Sequence, residues 1–533
     1  MPVVIFQNYV TRNVAIIALV FLTGALWILY AWLPPSPDHE MFDYIGFVGS
    51  RGGKFYIDSS DQNWPGVMLL HEVAVRIFGV HIWSFRTFDF VILMLGAVAL
   101  WNLLRSTGQN LASWIVLPLY ELMYVNSGIW FAGQRDIIAA NFLFVAAAIF
   151  SYAVRKQRLW LLFIAGAIAG YATLIRPTYL TDLSILVAIL FLVPWIGKTP
   201  TKHTFKDCWY STVWLLSGAS FTVIVALLWG LTSGNLRDWY DQAVLFNLYL
   251  SFQGRSISYI QAVSRFSEYL FSWHWYLAFA ALGLISWIRR NGLSVELLAS
   301  IGITVTGIVS AIVQKAGFGY HLGAVLPLLA LLTASWLGTV LNYFLKRPTH
   351  YVAIISLLFF WGVALLGLAK KTAAFLPEVD ALISHGNDKD RILKTTDESG
   401  IVPYDISESA KFIESNTKPN DFVLVWSRHT HILYLAQRRS TTHFSDIGML
   451  TGINNSFSFE GDWYNQFRGE LTNNVPRFIV LQTPSTSDGF DKFYSIENVN
   501  RSVLAVRDLV KTQYRKVAEF GPFVIYGRNT DKP

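Results

Sequence analysis

The chain has 533 residues, of which 53% are apolar and 14% charged, too hydrophobic and too sparsely charged for an ordinary soluble protein. Its formal charge of +7 comes from Lys and Arg placed between apolar runs instead of on one basic face, so nucleic acid is not an expected partner. The single cysteine, Cys208, excludes an internal disulfide framework and a Cys-based zinc site.

The first apolar stretch, Val14 to Leu33, runs about 20 residues and fits a spanning helix better than a cleavable signal core. Further runs of spanning length lie at 83–104, 111–130, 137–154, 159–175, 179–197, 209–231, 272–288, 295–314, 322–344 and 350–369. The sequence therefore predicts a mainly α, polytopic membrane protein with about 11 transmembrane helices. With a cytoplasmic N-terminus, Arg105, the group Arg155, Lys156 and Arg158, the group Lys198, Lys202 and Lys206, the pair Arg289 and Arg290, and the pair Lys346 and Arg347 all fall inside. Outer loops at 34–82 and 232–271 follow, together with an outer C-terminal part.

Beyond residue 369 the character changes. The segment 370–533 is expected to be a soluble, non-cytoplasmic α/β domain appended to a membrane domain at 1–369. Strands are predicted at Phe422 to Trp426, Arg477 to Gln482 and Phe523 to Gly527, with helices over Ser407 to Asn416 and Tyr434 to Arg438. No nucleotide-binding glycine pattern accompanies them.

The first outer loop concentrates chemistry. It opens Pro34-Pro35-Ser36-Pro37-Asp38-His39-Glu40-Met41-Phe42-Asp43-Tyr44, a cluster of carboxylates beside the membrane surface. Met41, Tyr44, Ile45 and Val48 recur at helical spacing, which predicts an interfacial helix with its apolar face in the acyl boundary. Asp38 then stands at the helix start, where it either caps free N–H groups or serves chemistry. A second interfacial helix is expected over Val67 to Val80, carrying His71, Glu72 and Arg76.

The order of motifs is more specific than any one of them. Asp38 with Glu40 is followed by Gly52-Gly53-Lys54-Phe55-Tyr56-Ile57-Asp58, Pro65-Gly66 and Trp83-Ser84-Phe85-Arg86. Gly133-Gln134-Arg135-Asp136, Arg176-Pro177-Thr178 and Gly319-Tyr320-His321 come later. In this order the chain resembles the lipid-phosphate-sugar-dependent glycosyltransferases of the GT-C superfamily, in the bacterial branch related to protein O-mannosyltransferases and aminoarabinose transferases. The departure is His39, which interrupts the acidic pair and leaves Asp38 and Glu40 as alternatives for the catalytic position, Asp38 favoured.

The resemblance implies inverting transfer of a sugar from a polyprenyl-phosphate donor to a glycolipid, polysaccharide or protein acceptor, on the periplasmic side of a bacterial inner membrane. A lipid phosphate already leaves well, so the step needs a base for the acceptor hydroxyl and cations for the departing phosphate. Asp38 is assigned as the base, and Asp136 as a supporting carboxylate unless it merely pairs with Arg135 or caps its helix. For the phosphate the candidates are Arg176, Lys315 and His321, then Lys54, Arg135 and Arg255, against the plain alternative that each meets a headgroup or a helix end. No cofactor is required by this reading, and a divalent metal, though compatible with Asp38, His39, Glu40 and Asp43, is not favoured.

Four features stay open at this stage. Glu121 lies inside an apolar run and faces either a cavity or the interface. Arg86 and Asp89 are spaced as a local pair, with Arg86 a secondary phosphate candidate. Trp239, Tyr240, Tyr249, Phe252 and Tyr259 suit either sugar stacking or the headgroup belt. A multi-pass transporter and a non-catalytic glycan-binding assembly protein are the rival classes, although acidic groups concentrated in outer loops speak against a midplane transport site.

Overall fold

The computed structural model describes residues 20–28, 30–31, 35–195, 204–253, 257–315, 317–346, 403–451, 459–483 and 500–529. The predicted span at 350–369, much of the run Val14 to Leu33, and the candidate Arg255 lie outside them. The described residues pack as two compact units. One draws on Met1–Trp32, Arg86–Ala226 and Arg255–Thr372, the other on Leu33–Phe85, Leu227–Gly254 and Ala373–Pro533. Packing thus groups the described part of residues 33–85 with the C-terminal part of the chain.

Six described helices are long and apolar enough to cross a membrane: Ser84–Ser106, Arg135–Lys156, Pro177–Trp195, Phe205–Ser233, Val295–Gln314 and Val325–Tyr343. A seventh forms if Tyr259–Ser272 and His274–Asn291, bent by 81°, count as one span. The predicted runs at 111–130 and 159–175 do form helices, but of 16 and 17 residues, Asn110–Val125 and Leu159–Ile175. Small residues let these helices approach closely. A Cβ on Gly166 would lie 1.9 Å from the Leu215 carbonyl oxygen, and one on Gly283 1.8 Å from that of Leu332, so backbone meets backbone where a side chain would intervene.

The second unit is built on a five-stranded sheet of order β2-β1-β3-β5-β4, with β1 Phe422–Trp426, β2 Arg439–Ser440, β3 Phe478–Gln482, β4 Tyr514–Phe520 and β5 Phe523–Arg528. The first three run parallel, β5 is antiparallel to β3, and β4 closes a hairpin with β5. Alternation along β1 sends Val423 and Val425 to one face and Leu424 and Trp426 to the other, and both faces are buried. That double burial makes β1, β3 and β5 continuous apolar runs in the sequence.

The helix predicted after the first span is present as Pro37–Ser50, but its surroundings differ from the expectation. Met41, Tyr44, Ile45 and Val48 are buried in protein, and Tyr44, Phe47 and Val48 join Val423, Val425, Val480 and Ile525 in one apolar cluster. A sheet face needs an apolar cover, and this helix supplies it in place of an acyl boundary. The second predicted helix, Pro65–Phe78, crosses it so closely that a Cβ on Gly46 would lie 2.6 Å from the His71 carbonyl carbon.

Candidate functional site

Two clusters of charged and titratable side chains stand out, one in each unit. In the membrane unit the helix Arg135–Lys156 begins at Gln134, which puts Asp136 in its first turn. Arg176 ends the helix Leu159–Ile175, where Pro177 forces it out of the helical region to φ −139° and ψ 99°. His321 sits in a 3₁₀ turn, Gly319–Leu322, pressed on the Asp136 helix: a Cβ on Gly323 would lie 2.5 Å from the Ile137 nitrogen and 2.7 Å from the Asp136 carbonyl carbon.

These three turns converge. Arg176 Nε lies 3.0 Å from Asp136 Oδ1, and His321 Nδ1 lies 3.1 Å from Asp136 Oδ2. Arg176 Nη2 is also 2.9 Å from His321 Nδ1 and donates to Gln314 Oε1. All three side chains are buried. Burial lowers the His321 pKa against the pull of Asp136, and Arg176 and Arg135 add to the fall, so the imidazole is neutral at pH 7. Its Nδ1 therefore serves either the carboxylate as donor or the guanidinium as acceptor, one at a time.

A second network fixes the approach to Asp136. Arg86 Nη1 donates to the Tyr30 hydroxyl at 3.0 Å and to the Ala132 carbonyl at 2.8 Å, and Tyr30 in turn donates to Asp89. Tyr124 donates to both Asp89 oxygens, at 2.9 and 2.8 Å, while accepting from the Gly133 N–H at 2.9 Å. Arg86 and Asp89 thus share the Tyr30 hydroxyl as part of a scaffold holding residues 132–133. Gly133 itself has φ +78°, a left-handed turn that a side chain would strain.

In the second unit the helix Pro37–Ser50 carries Asp38 and Glu40 in its first turn, with Ser36 at the N-cap position. His429 Nδ1 lies 3.1 and 3.2 Å from the two Glu40 oxygens. Asp43 is gripped from two sides, by His71 Nδ1 at 2.7 Å and His431 Nε2 at 3.0 Å. Burial opposes ionisation of Asp43, yet the hydrogen bonds and charges of His431 and His71 prevail and lower its pKa to about 2. Asp38 differs from Glu40 and Asp43 in remaining partly exposed.

The other candidates make further contacts. Lys54 is exposed in its loop, and its backbone N–H donates to Asp58 Oδ2 at 2.6 Å. Lys315 follows the helix Val295–Gln314 in a left-handed conformation, its ammonium 4.3 Å from the Tyr259 ring centre. Arg135 is half-buried beside Asp136 in the chain, while the carboxylate is engaged by Arg176 and His321. Glu121 is buried and accepts from Thr23 at 3.2 Å. Among the described residues no group of three or more His, Cys, Asp or Glu side chains is arranged to hold a metal ion.

Sequence reasoning missed His429 and His431. Their only signal is position: alternate histidines directly after β1, at the carboxyl end of a parallel strand, where α/β sheets present functional groups. Asp43 and His71 were visible as residues, but their pairing was not.

Residues 62–229 match the family model described as Dolichyl-phosphate-mannose-protein mannosyltransferase, a stretch that contains Asp136 and Arg176. No curated protein matches the chain in sequence. Among solved structures, ArnT from Cupriavidus metallidurans bound to undecaprenyl phosphate is similar over 97% of this chain and 99% of its own, with TM-score 0.60 and 13% identity. The same protein in the apo state is similar over 97% and 98%, with TM-score 0.52 and 14% identity.

Proposed function

We propose, taking the GT-C glycosyltransferase fold as the premise, that the protein transfers a sugar from a polyprenyl-phosphate carrier to an acceptor hydroxyl at the non-cytoplasmic face of the membrane. The observation that carries the reading is the fold it shares, along nearly its whole length, with a structure that holds undecaprenyl phosphate. The positive-inside pattern supports a course of about 11 spans with the N-terminus cytoplasmic and the C-terminal domain outside.

In this reading Asp38 takes the proton of the acceptor hydroxyl as its oxygen attacks the anomeric carbon. The bond from that carbon to the phosphate oxygen breaks, and the polyprenyl phosphate leaves with the electron pair. A single displacement inverts the anomeric centre. Glu40 and Asp43 are buried, and Asp38, partly exposed, is the carboxylate of the three that an acceptor can reach. Arg176 and Lys315 are the first candidates to meet the phosphate as cations, with His321 as a hydrogen-bonding imidazole beside Arg176, and Arg135 adds charge at a helix N-terminus, which itself favours an anion. Asp136 orients Arg176, whose fork suits a phosphate.

The acceptor class, a glycolipid, an envelope polysaccharide or a protein, is to be read from products. Mass spectrometry of envelope glycoconjugates from wild-type, deletion and Asp38→Asn strains is expected to show one sugar missing in both mutants. An unchanged inventory, or sugar flux through proteoliposomes without transfer, would overturn the reading.

A further inference from the structure

The histidines of the C-terminal sheet engage the very helix that carries Asp38. His429 and His431 stand at the carboxyl end of β1, 389 and 388 residues from Glu40 and Asp43 in sequence. The contacts are fully buried: His429 and Glu40 are 0% and 1% exposed, His431 and Asp43 both 2%. Burying four such groups is a costly way to hold a helix that Tyr44, Phe47 and Val48 already seat on the sheet. The cost points to a demand for defined orientation.

Helical geometry shows what is oriented. Glu40 and Asp43 are three residues apart and share a face, whereas Asp38 is about 200° round the helix from Glu40 at 3.6 residues per turn. The histidines therefore hold one side of the first turn and leave Asp38 directed elsewhere. They are themselves fixed: the His429 N–H donates to Ser427 Oγ at 3.1 Å, and Ser427 donates to Gln482 Oε1 at 2.7 Å at the end of β3. His431 lies against the Tyr434 ring at 4.8 Å, nearly parallel at 12°. His71 completes the grip on Asp43 from the helix Pro65–Phe78.

We propose that His429 and His431 are positioning residues for glycosyl transfer, which set the direction of Asp38 through Glu40 and Asp43 and make the C-terminal domain part of the catalytic apparatus. The proposal rests on the function assigned above to Asp38. A misplacement of about 1 Å in a reacting group lowers rates by about 100-fold, so small rotations of this helix suffice.

The test uses full-length protein in nanodiscs, with a short-chain polyprenyl-phosphate hexose or pentose as donor probe and the wild-type membrane extract as acceptor. His429→Gln and His431→Gln are expected to lower kcat about 10- to 100-fold with the donor KM unchanged, and to speed hydrogen exchange in residues 37–50. Glu40→Gln, which keeps the helix cover intact, is expected to do the same, and Glu40→Gln with His429→Gln to be no worse than either alone. His443→Gln, in the same domain but paired with Glu470, is expected to change neither readout. Wild-type kcat in the histidine variants, where Asp38→Asn abolishes turnover, overturns the proposal and leaves the enzyme reading intact. Unchanged exchange at 37–50 overturns it whatever the activity. An inactive wild type counts against the enzyme reading instead, and the exchange data then decide the clamp by themselves.

Discussion

The unit of long apolar helices and the unit built on the sheet solve one problem with different chemistry. In the first, a buried carboxylate, Asp136, is balanced by a permanent cation, Arg176, with a neutral imidazole between them. In the second, Glu40 and Asp43 are met by imidazoles alone. Arginine keeps its charge in a low-dielectric setting and offers a planar fork for phosphate, whereas histidine can exchange a proton and gives direction without fixed charge. On the proposed function, binding an anion calls for the first arrangement, and aiming a base for the second.

The largest effect is expected where this contrast is sharpest. Arg176→Ala leaves Asp136 buried without its cation and should cost about 3–5 kcal/mol of stability, read by denaturation of the purified protein. Arg176→Lys keeps the charge but not the fork, so transfer should fall more than stability. A cost below about 1 kcal/mol for Arg176→Ala would place this pair with weak surface bridges and erase the difference between the two clusters.

Asp43→Asn comes next. It removes a charged acceptor from two buried histidines, and a loss of about 2–3 kcal/mol is expected, confined to unfolding of the second unit. Acid titration then separates the clusters by pH. The depressed His321 pKa means that the unfolded chain binds a proton first, so this contribution weakens as pH falls below about 6.5. Asp43, lowered to about 2, gives stability that is complete above the unfolded carboxylate range and is lost as pH falls through about 2. The shift corresponds to about 2 kcal/mol. His321→Gln should flatten the first phase and leave the second; equal effects on both would break the assignment.

The smallest effect is expected at Lys315. Replacing its ammonium over Tyr259 by Gln should cost about 0.5–1 kcal/mol, and a larger loss of transfer than of stability would favour a phosphate contact for Lys315 over a purely local one.

Much of this molecule was legible one segment at a time. Runs of about 20 apolar residues announce helices because a bilayer core leaves no other way to satisfy the backbone. The strands at 422–426, 478–482 and 523–528 were legible because both sheet faces are covered, which demands unbroken apolar residues. β4 was not, since Tyr514-Arg515-Lys516-Val517-Ala518-Glu519-Phe520 is mostly exposed and reads as polar, and β2 has only two residues. Asp136, Arg176 and His321 were each singled out from helix ends, but nothing in their spacing said that they meet.

By itself the sequence determined the helical membrane character, the small sheet and the acidic helix that begins at Pro37, because each depends on neighbours in the chain and on the local solvent. Which cation meets Asp136, and which histidines meet Glu40 and Asp43, was decided only by tertiary structure. Those contacts join residues up to 389 positions apart, and a buried charge records in the sequence that it needs a partner without recording which one.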